Sequence, residues 1–407
     1  MRRIDPQSFV RATRLTTRQI NRQIVLSLVR EHQPISRADL ARKMRLGRGR
    51  ITQLVTELVD QGEIYVGDEV TETPRGRRPE MLFVRTRDRL VMAVDIRFSR
   101  TYLMLGDFAG APLVLESFET VPDPARLLAT IARRVRAILK KHDRSKRCEG
   151  LGVVIPGMVD QLTGKVLSSP QLGWRDVDVR EKLTALVGLP VHIENAPIAC
   201  ALSWMWMSGR GATVPQNFVY VTVSDGVGAG VVVNGELMRG HSNTAGEFGH
   251  VALDLAGPVC LCGARGCLEA YTSNIATLSR YLGVDFSPAS AHELLRSSGL
   301  TILDVVERAK RGEQRAIRAL HETGRYLGAG IAAIINSLNP GLLLIGGEVT
   351  GAWDILEPLI RSAVKDRALT ATAAATPIAI ESADRYPRLR GATALVAARG
   401  FAAPKVA

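Results

Sequence analysis

Short apolar runs cluster in two blocks along this chain, and each block gives way to helical pattern. "LVMAVDI", "TYLMLGD" and "PLVLESF" read as three strands between residues 90 and 118, and "PARLLATIARRVRAILKKH" follows as a helix. "GLGVVIPGMVD" is then a strand and turn, and "PVHIEN" another strand. The second block begins at "NFVYVTVS" and "GAGVVVNGEL", and a long helix around "RAIRALHETGRYLGAGIAAIINSL" leads into "GLLLIGGEV". Strands grouped at the start of each half, then alternating with helices, predict two similar α/β lobes around a cleft. Pattern of this kind defines a fold class and leaves function open.

The first 90 residues differ in character. They hold 19 Lys and Arg against 11 Asp and Glu, so most of the chain's net charge of +13 sits in its first fifth. That asymmetry suits a polyanion-binding head on a more neutral body. "TRQINRQIVLSLVRE" reads as a helix, with Ile20, Ile24 and Leu28 at helical spacing and Val25 widening the stripe. After Pro34, Ser36 and Asp39 form a capping-box pattern at the start of "SRADLARKM". Gly47 marks a turn, and "GRITQLVTELVDQG" buries Ile51, Leu54, Val55 and Leu58 on one face. Two short helices separated by a tight turn predict a helix-turn-helix.

On the second of these helices Arg48, Arg50, Thr52, Gln53 and Thr56 are left facing outward. Arg pairs with guanine, Gln with adenine, and Thr with a phosphate or a thymine methyl, so Arg48, Arg50, Thr52 and Gln53 are the candidate DNA contacts. "EIYVGDEVTETPRGRRPEMLFV" reads as strand, turn and strand, as in a wing. Its tip sets Arg75 and Arg77 around Gly76, suited to a narrow minor groove. The segment resembles the winged helix-turn-helix head of bacterial repressors.

Three of the five cysteines fall between residues 260 and 267. His250, Cys260, Cys262 and Cys267 have the spacing H-x9-C-x-C-x4-C, three thiolates and one imidazole that make a closed tetrahedral set for Zn2+. No ligand position is left open, so the expected zinc is structural. Cys148 and Cys200 stand apart and are expected to be buried packing residues. No run of 18 apolar residues suggests a membrane span, and the N-terminus lacks the apolar core of a signal peptide. A reduced, cytoplasmic setting is therefore expected.

The stretch "VSDGVGAGVVVNGELMRGHSNTAGEFGH", continued by "CLCGARGCLEAY", resembles the signature of the ROK family of repressors, open reading frames and sugar kinases. "GLGVVIPGMVD" and "LNPGLLLIGGEV" also resemble family segments, so the likeness runs over about residues 90 to 400. It implies an actin/hexokinase-like two-lobed body. With the head, it implies the family's repressor branch, which includes xylose, N-acetylglucosamine and glucose-system repressors. It further implies that Glu247, His250 and Glu269, together with Asn195, contact sugar hydroxyls.

The family's kinases carry an Asp after that Asn, to take the proton from the attacking hydroxyl. Here the position is Ala196, which cannot accept a proton. Family kinases also carry a glycine-rich phosphate turn after the first strand, preceded by an aspartate. Asp95 is present, but "DIRFSRTY" has no glycine, and Arg97, Phe98 and Arg100 stand there instead. The glycines of "SDGVGAG" and "IGGEV" read as inherited turn geometry. The expected layout is a winged helix-turn-helix with linker over 1–88, a first α/β lobe over 89–200 joined by a C-terminal helix in 385–407, and a second lobe with the zinc loop over 201–384. The expected function is a cytoplasmic repressor, dimeric or tetrameric, that binds an operator in double-stranded DNA and senses a sugar or sugar phosphate without phosphorylating it. Two alternatives stand: an active sugar kinase with an appended domain, and a regulator controlled by a protein partner docking on "SWMWM".

Overall fold

The computed structural model describes residues 13–67, 80–142, 147–207 and 214–401. The head contains α1 (Arg14–His32), β1 (Ile35–Ser36), α2 (Arg37–Met44), α3 (Arg48–Asp60), β2 (Ile64–Gly67) and β3 (Met81–Val84). Ser36 Oγ accepts the Asp39 N–H at 3.1 Å, and the Asp39 carboxylate accepts the Ser36 N–H at 3.3 Å, which completes the predicted capping box. Arg45, left-handed at φ 52°, stops α2 and turns the chain toward α3. The three strands form an antiparallel sheet in the order β1-β3-β2. The hairpin β2–β3 has the form expected of a wing, and its tip with Arg75 and Arg77 lies outside the described residues.

α3 buries Ile51, Leu54, Val55 and Leu58, as its periodicity predicts. α1 follows its predicted stripe only in part: Val25 is in the head core and Leu28 packs against it. Val25, Leu26 and Val29 are buried, whereas Ile24 is 40% exposed. Two overlapping aliphatic stripes run along this helix. The partners on one side, Leu40, Ile51, Leu82 and Val84, select the second stripe.

In the body, β4 (Arg89–Ile96), β5 (Arg100–Asp107), β6 (Pro112–Glu119), α4 (Pro124–His142) and β7 (Arg147–Ile155) come first. A small antiparallel sheet follows, of β8 (Met158–Val159), β9 (Lys165–Ser169) and β10 (Trp174–Asp178). Then come α5 (Val179–Val187), β11 (Val191–Asn195) and α6 (Ala196–Met207). The second half contains β12 (Phe218–Val223), β13 (Val227–Val233), β14 (Glu236–Leu237), α7 (Leu268–Thr272), α8 (Asn274–Leu282), α9 (Pro288–Ser297), α10 (Ile302–Lys310) and α11 (Gln314–Leu338). It closes with β15 (Leu342–Gly346), α12 (Trp353–Arg367), α13 (Ala371–Ala374), β16 (Ile378–Glu381) and α14 (Pro387–Ala397).

Two five-stranded sheets result, ordered β11-β7-β4-β5-β6 and β14-β13-β12-β15-β16. In each, three strands pair parallel, β11, β7 and β4 in the first and β12, β15 and β16 in the second, and two more add antiparallel beyond β4 and β12. The duplicated topology realises the two α/β lobes read from the paired strand blocks. α4 and α5 cover one face of the first sheet through Leu127, Ile131, Val135 and Leu183 against Leu151 and Val153. α11 covers the second through Leu327 and Ile331 against Val219, Val221 and Ile345. Each such fully buried aliphatic side chain contributes about 1.5–3 kcal/mol.

Between the two sheets lie α14 and α6. A Cβ on Gly152 of β7 would sit 1.9 Å from the Ala392 carbonyl oxygen, so glycine is what lets α14 lie directly on the first sheet. α6 packs on the second sheet through Cys200 and Ala201 against Phe218 and Tyr220. Cys200 is buried as expected. Cys148 is only half-buried, because it stands near the start of β7, where its Sγ–H points at the Gly150 carbonyl.

Candidate effector cleft and metal centre

The start of β13, the loop from β14 to α7 and the start of α7 converge on one corner of the second lobe. The donor atoms of His250, Cys260, Cys262 and Cys267 lie within 4.8 Å of one another. Cys262 Sγ and Cys267 Sγ are 3.8 Å apart, and Cys260 Sγ is 3.8 Å from His250 Nδ1. Tetrahedral thiolates at about 2.3 Å from one ion would stand about 3.8 Å apart, so the set has the dimensions of a metal site. A Cβ on Gly266 would fall 1.5 Å from the Asp254 carbonyl oxygen, and its φ is 68°, so the loop closes this tightly only with glycine there. Burial pushes Cys267 up to about 11 and Cys260 higher still, so the thiolates need a cation to stay deprotonated at neutral pH. This cluster can hold a metal ion.

His250 presents its Nδ1 edge to the thiols and its Nε2 edge to Glu247, whose carboxylate lies 3.9 Å away. Asn195, Glu247, His250 and Glu269 all line a single cleft between the lobes, together with Gln171, Asp225, Ala196, Arg97 and Arg388. Glu269 is 2% exposed and accepts the Val227 N–H at 2.9 Å. Burial raises the carboxyls of Glu269 and Glu247, with the His250 charge opposing the rise in both. The Asn195 side-chain oxygen accepts the Ile198 N–H at 3.1 Å and so caps α6. Its NH2 group is left to serve the cleft.

Where the sequence lacks a phosphate turn, the structure has a charged network. Arg97 Nε donates to Asp95 at 2.7 Å, and Arg97 also pairs with Glu348 of the second lobe. Arg388, from the start of α14, reaches the same Asp95 at 2.7 Å, and Asn274 donates to Glu348 at 2.9 Å. Burial pushes the Asp225 carboxyl up to about 6, helped by the nearby Glu348 charge. Ala196 is buried beside this network. A second cross-lobe pair joins Arg239 to Glu194 of β11, with Asn243 bridging both to the Val159 carbonyl. Sequence reasoning missed Gln171, Arg388 and Arg239 and assigned no role to Asp225 or Glu348. No local pattern marks them, since their partners lie in distant segments.

On the head, Arg48, Arg50, Thr52, Gln53 and Thr56 are exposed on α3. Thr52 Oγ1 donates to the Arg48 carbonyl at 3.0 Å, which leaves its oxygen and methyl for an outside partner. Thr13, Arg14, Thr17 and Arg18 of the α1 start join Arg50 and Gln53 around one groove, and Arg14 and Arg18 add basic residues that the helix reading did not single out. The "SWMWM" segment is occupied internally. Ser203 is buried, Trp204 and Met205 pack into the α6–β12 core, and Trp206 packs into the head core. No helix among the described residues is long and apolar enough to cross a membrane.

A two-lobed body of paired α/β sheets with a Cys/His corner beside its cleft defines a class that holds both kinases and regulators. The ROK family model matches residues 91–399, and the chain belongs to that family. It is 28% identical over 390 residues to the DNA-binding transcriptional dual regulator NagC of Escherichia coli K12, covering 93% of this chain and 92% of that protein. It is 27% identical over 354 residues to the xylose repressor of Bacillus subtilis strain 168, covering 86% and 88%. A crystal structure of a ROK family transcriptional regulator, a homologue of the E. coli MLC protein, superimposes with a TM-score of 0.78 at 26% identity, over 95% of this chain and 97% of the other. A ROK family glucokinase from Streptomyces griseus, with glucose and AMPPNP, matches 75% of this chain at a TM-score of 0.64 and 24% identity, and shares the body's fold.

Proposed function

We propose that this protein is a sequence-specific, DNA-binding transcriptional repressor whose kinase-like body binds a sugar-type effector without phosphorylating it. The observation that carries the reading is the Arg97 network. A phosphoryl-transfer site needs bare backbone around the phosphates and a free carboxylate beside the acceptor hydroxyl. Here an arginine bound to Asp95 and Glu348 lies at the end of β4, and Asp95 is consumed by Arg97 and Arg388. Ala196 adds no base. The helix-turn-helix head and the full-length similarity to regulators support the DNA-binding part.

In this reading Arg48, Arg50, Thr52 and Gln53 meet base edges and phosphates, and Arg75 and Arg77 meet the minor groove. Two copies, as a dimer or within a tetramer, meet two half-sites about one helical turn apart. Asn195, Glu247, His250 and Glu269 hold the effector's hydroxyls, the carboxylates as acceptors and the Asn195 NH2 group as a donor. Zn2+ held by His250, Cys260, Cys262 and Cys267 has a structural role. It fixes the imidazole so that its other nitrogen faces Glu247. The protein works in the cytoplasm, where thiols stay reduced.

Footprinting on DNA upstream of sugar-uptake and sugar-catabolism genes tests the first half, and protection of an inverted repeat is expected. A coupled ATP and hexose turnover assay tests the second, and no turnover is expected. Phosphorylation of sugar by the unmodified protein overturns the reading.

A further inference from the structure

We propose that the cleft selects an uncharged sugar and discriminates against phosphorylated or otherwise anionic ones. The inference rests on the sugar-sensing reading above and narrows its ligand class. Two arginines line the cleft, and neither is spare. Arg97 is held by Asp95 and Glu348, and Arg388 by Asp95. Asp225 lines the same wall and adds a further carboxyl. Even with Asp225, Glu247 and Glu269 all uncharged, the two cations face two carboxylates. The only other basic side chain among the described lining residues, His250, turns its Nδ1 to the thiols and its Nε2 to Glu247. The third arginine nearby, Arg239, is tied to the fully buried Glu194. A phosphate entering here must lose its hydration and finds no unmatched cation, and each arginine it recruits takes one cationic partner away from a buried carboxylate. Hydroxyls meet the opposite situation, because carboxylates and the Asn195 amide are hydrogen-bond partners that need no counter-ion.

Thermal shift and calorimetry on the full chain, with xylose, glucose, N-acetylglucosamine, glucose 6-phosphate and N-acetylglucosamine 6-phosphate, test the inference. A neutral sugar is expected to bind at least about tenfold more tightly than any phosphate in the panel. Glu348→Gln frees one bond of Arg97 and is expected to shift that ratio toward the phosphates. A phosphate that binds as tightly as its parent sugar overturns the inference and leaves sugar sensing intact. If none of the five binds, sugar sensing itself fails, and the inference with it.

A second, independent observation concerns how occupancy of the cleft reaches the head. We infer that α6 and α14 act as a paired strut between them. Ala196 and Pro197, at the start of α6, line the cleft, and so does Arg388 at the start of α14. At the far end of α6, Trp206 lies under the Arg30 guanidinium of α1, with Arg30 Cζ 3.6 Å from the ring centroid. At the far end of α14, Val396 and Ala397 belong to the same apolar cluster as Val25, Leu26 and Val29 of α1. The helices touch so closely that a Cβ on Gly391 would lie 2.3 Å from the Ala199 carbonyl oxygen, which prevents them from moving separately. At 1.5 Å per residue, α6 spans about 18 Å, so any displacement of its first turn is delivered to the head core.

The test measures operator affinity with and without the sugar that binds best in the panel, for the wild type, Trp206→Leu and Arg30→Gln. Both variants are expected to keep sugar affinity within about threefold of wild type and to lose at least tenfold of the sugar's effect on operator affinity. Arg30→Gln leaves the apolar packing in place, so it reports even where Trp206→Leu unfolds. An undiminished sugar effect in Arg30→Gln and in folded Trp206→Leu overturns the strut.

Discussion

Replacing Arg97 with methionine removes the cation that links the end of β4 to Glu348 in the opposite lobe. Asp95 is then left with Arg388 alone, and Glu348 with the Asn274 amide. The Arg97 side chain is 22% exposed, Asp95 0% and Glu348 15%, so solvent repairs little of the damage. Breaking a fully buried pair by deleting one partner costs about 3–5 kcal/mol, and the surviving partners reduce this to about 2–4 kcal/mol here. The pH dependence has a definite sign. In the native protein burial pushes Glu348 upward, but the Arg97 charge, the Asn274 amide and its other partners more than cancel it, so its net position lies below the ordinary 4.5. A carboxylate lowered on folding adds stability that is present above its unfolded value and is lost as pH falls through the folded value. Arg97→Met abolishes that contribution and leaves burial dominant. The gap between wild type and variant should therefore be full at pH 7, begin to shrink as pH falls through the variant's raised Glu348 value above 4.5, and close below the wild type's lowered one. Urea titrations at pH 7.5 and pH 4, read by lobe-specific tryptophan fluorescence, measure it. A gap under about 1 kcal/mol at pH 7.5, or one that widens in acid, refutes the reasoning.

Cys260→Ser should reduce bound zinc from about one per chain and destabilise the second lobe, with metal content and urea midpoint as the readouts. Glu269→Gln keeps an acceptor for the Val227 N–H yet should weaken the best-binding sugar by about ten- to a hundredfold, by calorimetry, because it replaces a charged acceptor with a neutral one. Arg50→Ala and Gln53→Ala should each relax preference at one operator base pair by about 1–3 kcal/mol, whereas Arg75→Ala with Arg77→Ala should weaken all sequences alike and flatten the salt dependence. Ala196→Asp should leave ATP-dependent sugar turnover at background, since Arg97 still lies where the phosphates would sit.

Much of the head was legible because its determinants are local. The capping box spans Ser36 to Asp39, and the α3 stripe repeats within one helix. The Cys/His quartet was legible for the same reason, since its four candidate ligands lie within the short span from His250 to Cys267. α1 was read only in part, with Val25 and Leu28 right and Ile24 wrong, because its sequence offers two aliphatic stripes and only the neighbours choose between them. Asn195, Glu247, His250 and Glu269 could be listed together only through the family resemblance. Nothing in their spacing says that β11, the loop before α7 and α7 itself share a cleft.

The sequence by itself determined the two-lobed α/β pattern, the helix-turn-helix, the cysteine–histidine quartet, the Ala196 that follows Asn195 and the absence of glycine just after Asp95. These are matters of residue type and short-range spacing. Tertiary structure decided which of the many arginines enter the cleft, and with what partners. It brought Arg97 to Glu348 and Arg388 to Asp95 across some 250 and 290 residues of chain, and set Trp206 beneath Arg30. The chain carries 53 lysines and arginines, and an ion pair leaves no trace in a linear pattern when its halves sit on different lobes. Such pairs form where sheet packing has already brought two segments together, so charge follows the fold at this site and is not foretold by the local sequence.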